Sequence, residues 1–188
     1  MNIEINNSKK VNYFEKLKKQ KEFEVIIMGK DPYPTAPNGI PFCKDTWEEL
    51  CADNCCGKSV LNSLGFNLEL EREKYKTPID FFLSLIDLKI GFLNLIYSYN
   101  NGKSITRKWN IEKLNSGFTV NEQILNKAKN IVLCGEAKKL KWMSKSYFEK
   151  SFEVVHPDNR NKISYREKTR TNWSENWAKD SLKNKFNL

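Results

Sequence analysis

Four apolar runs, each closing on glycine or a polar residue, constrain this chain more than any other feature. They are centred on Val25-Ile26-Ile27, Gly91-Phe92-Leu93, Ile131-Val132-Leu133 and Phe152-Glu153-Val154-Val155. Short runs rich in branched residues suit strands buried on both faces, as in a parallel sheet. The expected strands are Glu24–Met28, Ile90–Leu95, Asn130–Cys134 and Phe152–Val155. Three of the runs lead into side chains capable of chemistry. Gly29-Lys30-Asp31-Pro32-Tyr33-Pro34 follows the first, Asn94 lies at the end of the second, and His156-Pro157 follows the fourth. In open parallel sheets, ligands bind in the crevice outside the carboxyl ends of the strands. An acid, an amide and the chain's single histidine are thus directed to one crevice.

Helical patterns separate the runs. Lys9 to Lys21 reads as a basic amphipathic helix with Val11, Phe14 and Leu17 on one face. Pro41 to Cys56 reads as a loop with a short helix around Trp47–Cys51, and Gly57-Lys58-Ser59 opens a helix across Val60–Leu64. Thr77-Pro78 marks a helix start, with threonine at the cap and proline in the first turn. Its apolar face is Ile79, Phe82, Leu83 and Ile86. Thr119-Val120-Asn121-Glu122 fits a capping box and predicts a helix to about Lys129. Gly135 ends the third strand, a lysine-rich helix is expected after it to about Tyr147, and a last one over roughly Asn172–Lys183. Strands alternating with helices imply right-handed crossovers. The expected fold class is α/β: a three-layer α/β/α sandwich on a central four-stranded, mainly parallel sheet.

The chain has 188 residues, the size of a single domain spanning 1–188, with no repeat or linker dividing it. Its 32 Lys and Arg against 23 Asp and Glu give a net charge of +9, which favours a polyanionic partner, usually nucleic acid. No apolar run approaches a bilayer span and the start lacks a signal-peptide pattern, so no membrane association is expected. Five cysteines, at 43, 51, 55, 56 and 134, suggest reduced thiols in the cytosol. Cys51-x3-Cys55-Cys56 with nearby Cys43 lacks the paired C-x2-C spacing of common zinc and iron–sulfur sites, so no metal and no cofactor is expected.

Gly29-Lys30-Asp31-Pro32-Tyr33 resembles the water-activating motif G-Q-D-P-Y-H of uracil-DNA glycosylases. The resemblance continues in order. Gly39-Ile40-Pro41-Phe42 is similar to G-L-x-F, Ser59-Val60-Leu61-Asn62 to S-L-x-N, and Phe92-Leu93-Asn94 to L-L-N. His156-Pro157 matches the first two residues of H-P-S-P-L-S. Order and spacing agree from about Glu24 to Asn161. The resemblance implies the fold of that family and a monofunctional glycosylase that hydrolyses the N-glycosidic bond of uracil in DNA, leaving an abasic site for base-excision repair. It also implies action as a monomer on single- or double-stranded DNA, in the cytoplasm or wherever the DNA lies.

The resemblance assigns the catalytic roles to Asp31 and His156. Asp31 would orient water and balance the positive charge that builds on the sugar in an oxocarbenium-like transition state. His156 would donate a hydrogen bond to the anion forming on the base. The substrate-binding set is Lys30, Tyr33, Phe42 and Asn94. Asn94 would pair with N3–H and O4 of uracil, where cytosine presents the opposite pattern. Phe42 would stack on the extruded ring, and Tyr33 would fill the space a thymine methyl needs. The DNA-binding candidates are Ser59, at a helix start that would touch phosphate, and Asp158, Arg160 and Lys162, in or beside a basic stretch interleaved with Tyr165 and Trp173. Several of these residues have an ordinary alternative: Asp31 as a capping carboxylate, Ser59 as an N-cap, Phe42 as core, Asn94 as a turn asparagine, Tyr33 as loop packing and His156 as a structural histidine.

Departures fall in two loops. Lys30 stands for the family's glutamine and Pro34 for its histidine. Asp158, Asn159, Arg160 and Asn161 follow His156-Pro157 in place of S-P-L-S, so Arg160 occupies the position of the leucine that wedges into the base stack. These changes touch duplex opening more than base recognition, and they leave two alternatives: a glycosylase for another modified pyrimidine, or a DNA-binding relative without turnover.

Overall fold

The computed structural model describes residues 8–30, 38–95, 119, 121–139, 147, 149–158 and 167–188. Four strands form one sheet in the order β2-β1-β3-β4, with β1 at Phe23–Gly29, β2 at Ile90–Asn94, β3 at Ala128–Cys134 and β4 at Ser151–Val154. Every pair is parallel, with Gly29 opposite Asn94, Met28 opposite Leu133 and Cys134 opposite Val154. The helices are α1 (Ser8–Lys19), α2 (Trp47–Cys51), α3 (Cys56–Ser63), α4 (Leu68–Lys74), α5 (Pro78–Asp87), α6 (Glu167–Trp177) and α7 (Ser181–Phe186), with a further helical stretch at 121–125. The architecture is the expected three-layer α/β/α sandwich. Among the described residues, no helix is long and apolar enough to cross a membrane.

The inner strands are buried because both faces are covered. Val25, Ile26, Ile27, Met28, Ile131, Val132 and Leu133 are all inaccessible to solvent. Helix α5 starts where Thr77 and Asp80 form a reciprocal capping box with Pro78 in the first turn. Its buried face is broader than the pattern suggested: Phe81 and Leu85 are buried with Ile79, Phe82 and Ile86, whereas Leu83 is only half-buried. Helix α1 packs on α5, and α5 on β2. The outer edge of β2 is closed by a side chain. The Phe92 amide donates to the Tyr13 hydroxyl at 2.9 Å, and that hydroxyl donates to the Phe92 carbonyl at 3.2 Å.

Several boundaries differ from expectation. Helix α4 escaped the sequence pattern because Leu68 is its one buried residue. The helix expected to run to Lys129 stops at 125, because β3 already begins at Ala128 and needs extended backbone there. Thr119 is itself helical, so it does not act as the cap. A 3-10 turn, Gly135–Lys139, follows β3, and most of the lysine-rich segment after it lies outside the described residues. The last helix is two helices. Asp180, at a left-handed φ of 61°, breaks the chain between α6 and α7, and its amide donates to the Asn62 carbonyl at 3.0 Å. That bond ties the break to the end of α3.

Candidate active site

Strand order β2-β1-β3-β4 means the chain reverses direction across the sheet between β1 and β3. Such a switch point leaves a crevice at the carboxyl ends of the two strands. Gly29 ends β1 on one side of it, and Cys134-Gly135 ends β3 on the other. The candidate side chains gather on these two flanks.

On the β1 flank, Asn94 and Phe42 meet over Gly29. A Cβ built on Gly29 would stand 2.6 Å from Asn94 Oδ1 and 3.2 Å from Phe42 Cζ. The bare α-carbon is therefore what lets the amide and the ring approach the strand end together. Asn94 is 2 % exposed. Its carbonyl accepts from Asn121 Nδ2 at 2.8 Å, and Asn121 is fully buried. The Leu95 amide donates to the Gly29 carbonyl at 3.1 Å, which carries the β1–β2 ladder past Asn94.

Phe42 reaches this position from a tightly built loop. Asn38 Oδ1 accepts from the Ile40 amide at 2.9 Å, and its Nδ2 donates to Asp45 at 2.7 Å. The Cys43 amide closes a turn onto the Ile40 carbonyl at 3.2 Å. Phe42 itself has φ 63°, a left-handed conformation that costs a non-glycine residue about 1–3 kcal/mol. The cost is met by close packing. The Phe42 carbonyl lies so near Gly57 that a Cβ there would come within 2.1 Å of it. Its ring meets Phe92 edge-on, with centroids 6.3 Å apart.

On the β3 flank stands His156, two residues beyond β4. Its Cβ would be 3.0 Å from a Cβ built on Gly135, so the histidine lies against the end of β3. The Asp158 amide donates to His156 Nδ1 at 3.2 Å. An accepting Nδ1 makes Nε2 the protonated nitrogen of the neutral ring. The approach to His156 is held by α6: Asn176 Oδ1 accepts from the Val155 amide at 3.4 Å, and Trp177 Nε1 donates to the Val155 carbonyl at 3.0 Å. Cys56, the first residue of α3, also reaches this flank. Its Sγ, a His156 ring nitrogen and an Asp158 carboxylate oxygen all lie within 4.8 Å of one another.

The remaining candidates divide as follows. Lys30 is half-buried just past β1. Asp31, Tyr33, Pro34, Arg160 and Lys162 lie outside the described residues. Ser59 is not a helix cap: α3 begins at Cys56, Cys55 is the capping residue, and the Ser59 amide already bonds the Cys55 carbonyl at 3.5 Å. It remains half-buried in the first turn. Asn38, Asn176 and Trp177 escaped sequence reasoning. Cys56 showed only as part of the Cys55-Cys56 doublet, and Asn121 only as part of a capping box. Burial pushes the Cys43 and Cys134 thiols well above the ordinary cysteine range, so neither acts as a nucleophile near neutral pH.

Compared with known protein families, the chain matches no family model. Among curated proteins, none matches it.

Proposed function

We propose that this protein is a DNA glycosylase that releases uracil from DNA, acting without metal or cofactor in catalysis. The carrying observation is the meeting of the Asn94 amide and the Phe42 ring over Gly29, at the crevice whose other flank bears His156. A buried amide beside an aromatic edge, at a strand end shaped by a glycine, suits the edge and face of one flat heterocycle. The Asn94 side chain supplies one acceptor and one donor, the pattern uracil needs at N3–H and O4. A buried mismatch with cytosine costs the full desolvation of the groups left unmatched, about 1–3 kcal/mol each.

The chemistry needs little else. A water oxygen attacks C1′ of the sugar while the C1′–N1 bond breaks and its electron pair departs with the base. Asp31, just past Lys30 at the end of β1, orients the water, takes up its proton and offsets the sugar's positive charge. His156, protonated at Nε2, donates to the O2 of the leaving anion. Such a preorganised donor is worth about 3 kcal/mol. The net charge of +9 supports a nucleic-acid partner, and the protein acts as a monomer on DNA in the compartment that holds it.

The test is incubation of pure protein with a uracil-containing oligonucleotide, followed by alkali cleavage. Strand scission at the uracil position is expected. Intact DNA, with release neither of uracil nor of 5-hydroxymethyluracil, would refute the proposal.

A further inference from the structure

We propose that Cys56, His156 and Asp158 form a binding site for zinc or a similar thiophilic divalent cation. One ligand atom from each already lies within 4.8 Å of the other two. Zinc with ligands at about 2.0–2.3 Å needs tetrahedral donor spacings of about 3.3–3.7 Å. Closure by about 1 Å completes the set, a side-chain adjustment rather than a rearrangement. Thiolate, imidazole and carboxylate together select zinc over magnesium or calcium, which favour all-oxygen ligation. Three protein ligands leave one position for water or an incoming anion, the arrangement of open zinc sites.

The three residues come from two parts of the chain: Cys56 is the first residue of α3, and His156 and Asp158 lie in the segment after β4. His156 lies against Gly135, and Asp158 is linked to it through its amide. Cys43, Cys51 and Cys55 take no part in this set, so it differs from the cysteine cluster that the sequence brings to notice. Ligation through Nδ1 displaces the Asp158 amide, while ligation through Nε2 removes the histidine's donor proton. In both cases a bound cation alters the group that the glycosylase reading assigns to the leaving base. Zinc therefore acts as a reversible inhibitor of base release, a consequence that rests on that reading.

Cobalt(II) and zinc titrations of the intact protein test the site without any turnover. One equivalent of cobalt should produce a thiolate-to-metal charge-transfer band that zinc displaces and Cys56→Ser abolishes. Asp158→Asn, a half-buried substitution compatible with folding, should lower zinc affinity about tenfold or more. The absence of a charge-transfer band in the folded wild type would overturn the site, as would a band that survives in folded Cys56→Ser. Should Cys56→Ser fail to fold, unchanged zinc affinity in Asp158→Asn would overturn it. The activity arm is separate. Chelator-reversible zinc inhibition, lost in Asp158→Asn, is expected, and its absence alongside proven binding would overturn the inhibitory role alone. A protein that binds the metal but releases no base would refute the glycosylase reading and leave the site standing.

Discussion

Trp177 donates its indole N–H to the Val155 carbonyl at 3.0 Å, so the last long helix holds the segment that leads into His156. The relationship joins stability to chemistry, because Trp177 is 3 % exposed and packs in the core. Trp177→Phe keeps an aromatic ring but removes the donor. It should cost about 1 kcal/mol of stability, read by urea unfolding, and lower the rate of base release by a larger factor than it changes substrate binding.

Gly29→Ala tests the β1 flank. The new methyl would meet Asn94 Oδ1 at 2.6 Å and Phe42 Cζ at 3.2 Å, and must push the amide or the ring away. Overpacking of this kind costs about 1–3 kcal/mol. The expected outcome is a folded protein of lower Tm whose uracil release falls at least as steeply as its stability. Wild-type activity in this variant would detach Asn94 and Phe42 from base recognition.

Asp31→Asn and His156→Ala should each depress single-turnover uracil release by about a hundredfold or more, with far-UV circular dichroism unchanged. Their DNA affinity should remain close to that of the wild type. A loss confined to KM would assign both residues to binding instead.

Strand preference follows from the segment after His156. Arg160 makes a poorer apolar wedge than leucine, and Asp158 brings negative charge towards the phosphates. Opening a duplex should therefore be costly, while a single-stranded substrate needs no unpairing. Turnover on single-stranded uracil DNA should exceed that on a U·G duplex of the same sequence. Equal or faster turnover on the duplex would refute the preference.

Alkaline pH should weaken the fold through its buried thiols. Burial raises Cys43 and Cys134 in the folded state, so the folded chain holds those protons more tightly than the unfolded one. Their contribution is complete below the ordinary thiol value, about 8.5, and is lost progressively as pH rises above it. Tm should fall as pH rises above about 8.5, and Cys134→Ala should flatten that slope while lowering Tm at pH 7.

The strands were legible because burial on both faces leaves an unbroken apolar run, as in Val25-Ile26-Ile27. Helix α5 was legible because Thr77, Pro78 and Asp80 encode its start locally. Asn94 and His156 could be read as strand-end residues for the same reason. What sequence did not disclose depends on contacts between distant segments. Helix α4 buries Leu68 alone, so it shows no strong periodicity. The break at Asp180 depends on the Asn62 carbonyl, more than a hundred residues away. Asn121 looked like part of a helix cap, yet its amide holds the backbone of Asn94. Ser59 looked like the start of a helix that begins at Cys56 instead, since no side chain marks the true start.

The phenol of Tyr13 occupies both backbone groups of Phe92 that a neighbouring molecule's strand would need. Cross-molecular strand addition at that border must first dislodge a fully buried ring. Any polymer or domain-swapped dimer built by extending the sheet at β2 must therefore displace that ring, and removing the Tyr13 hydroxyl will open this border to growth.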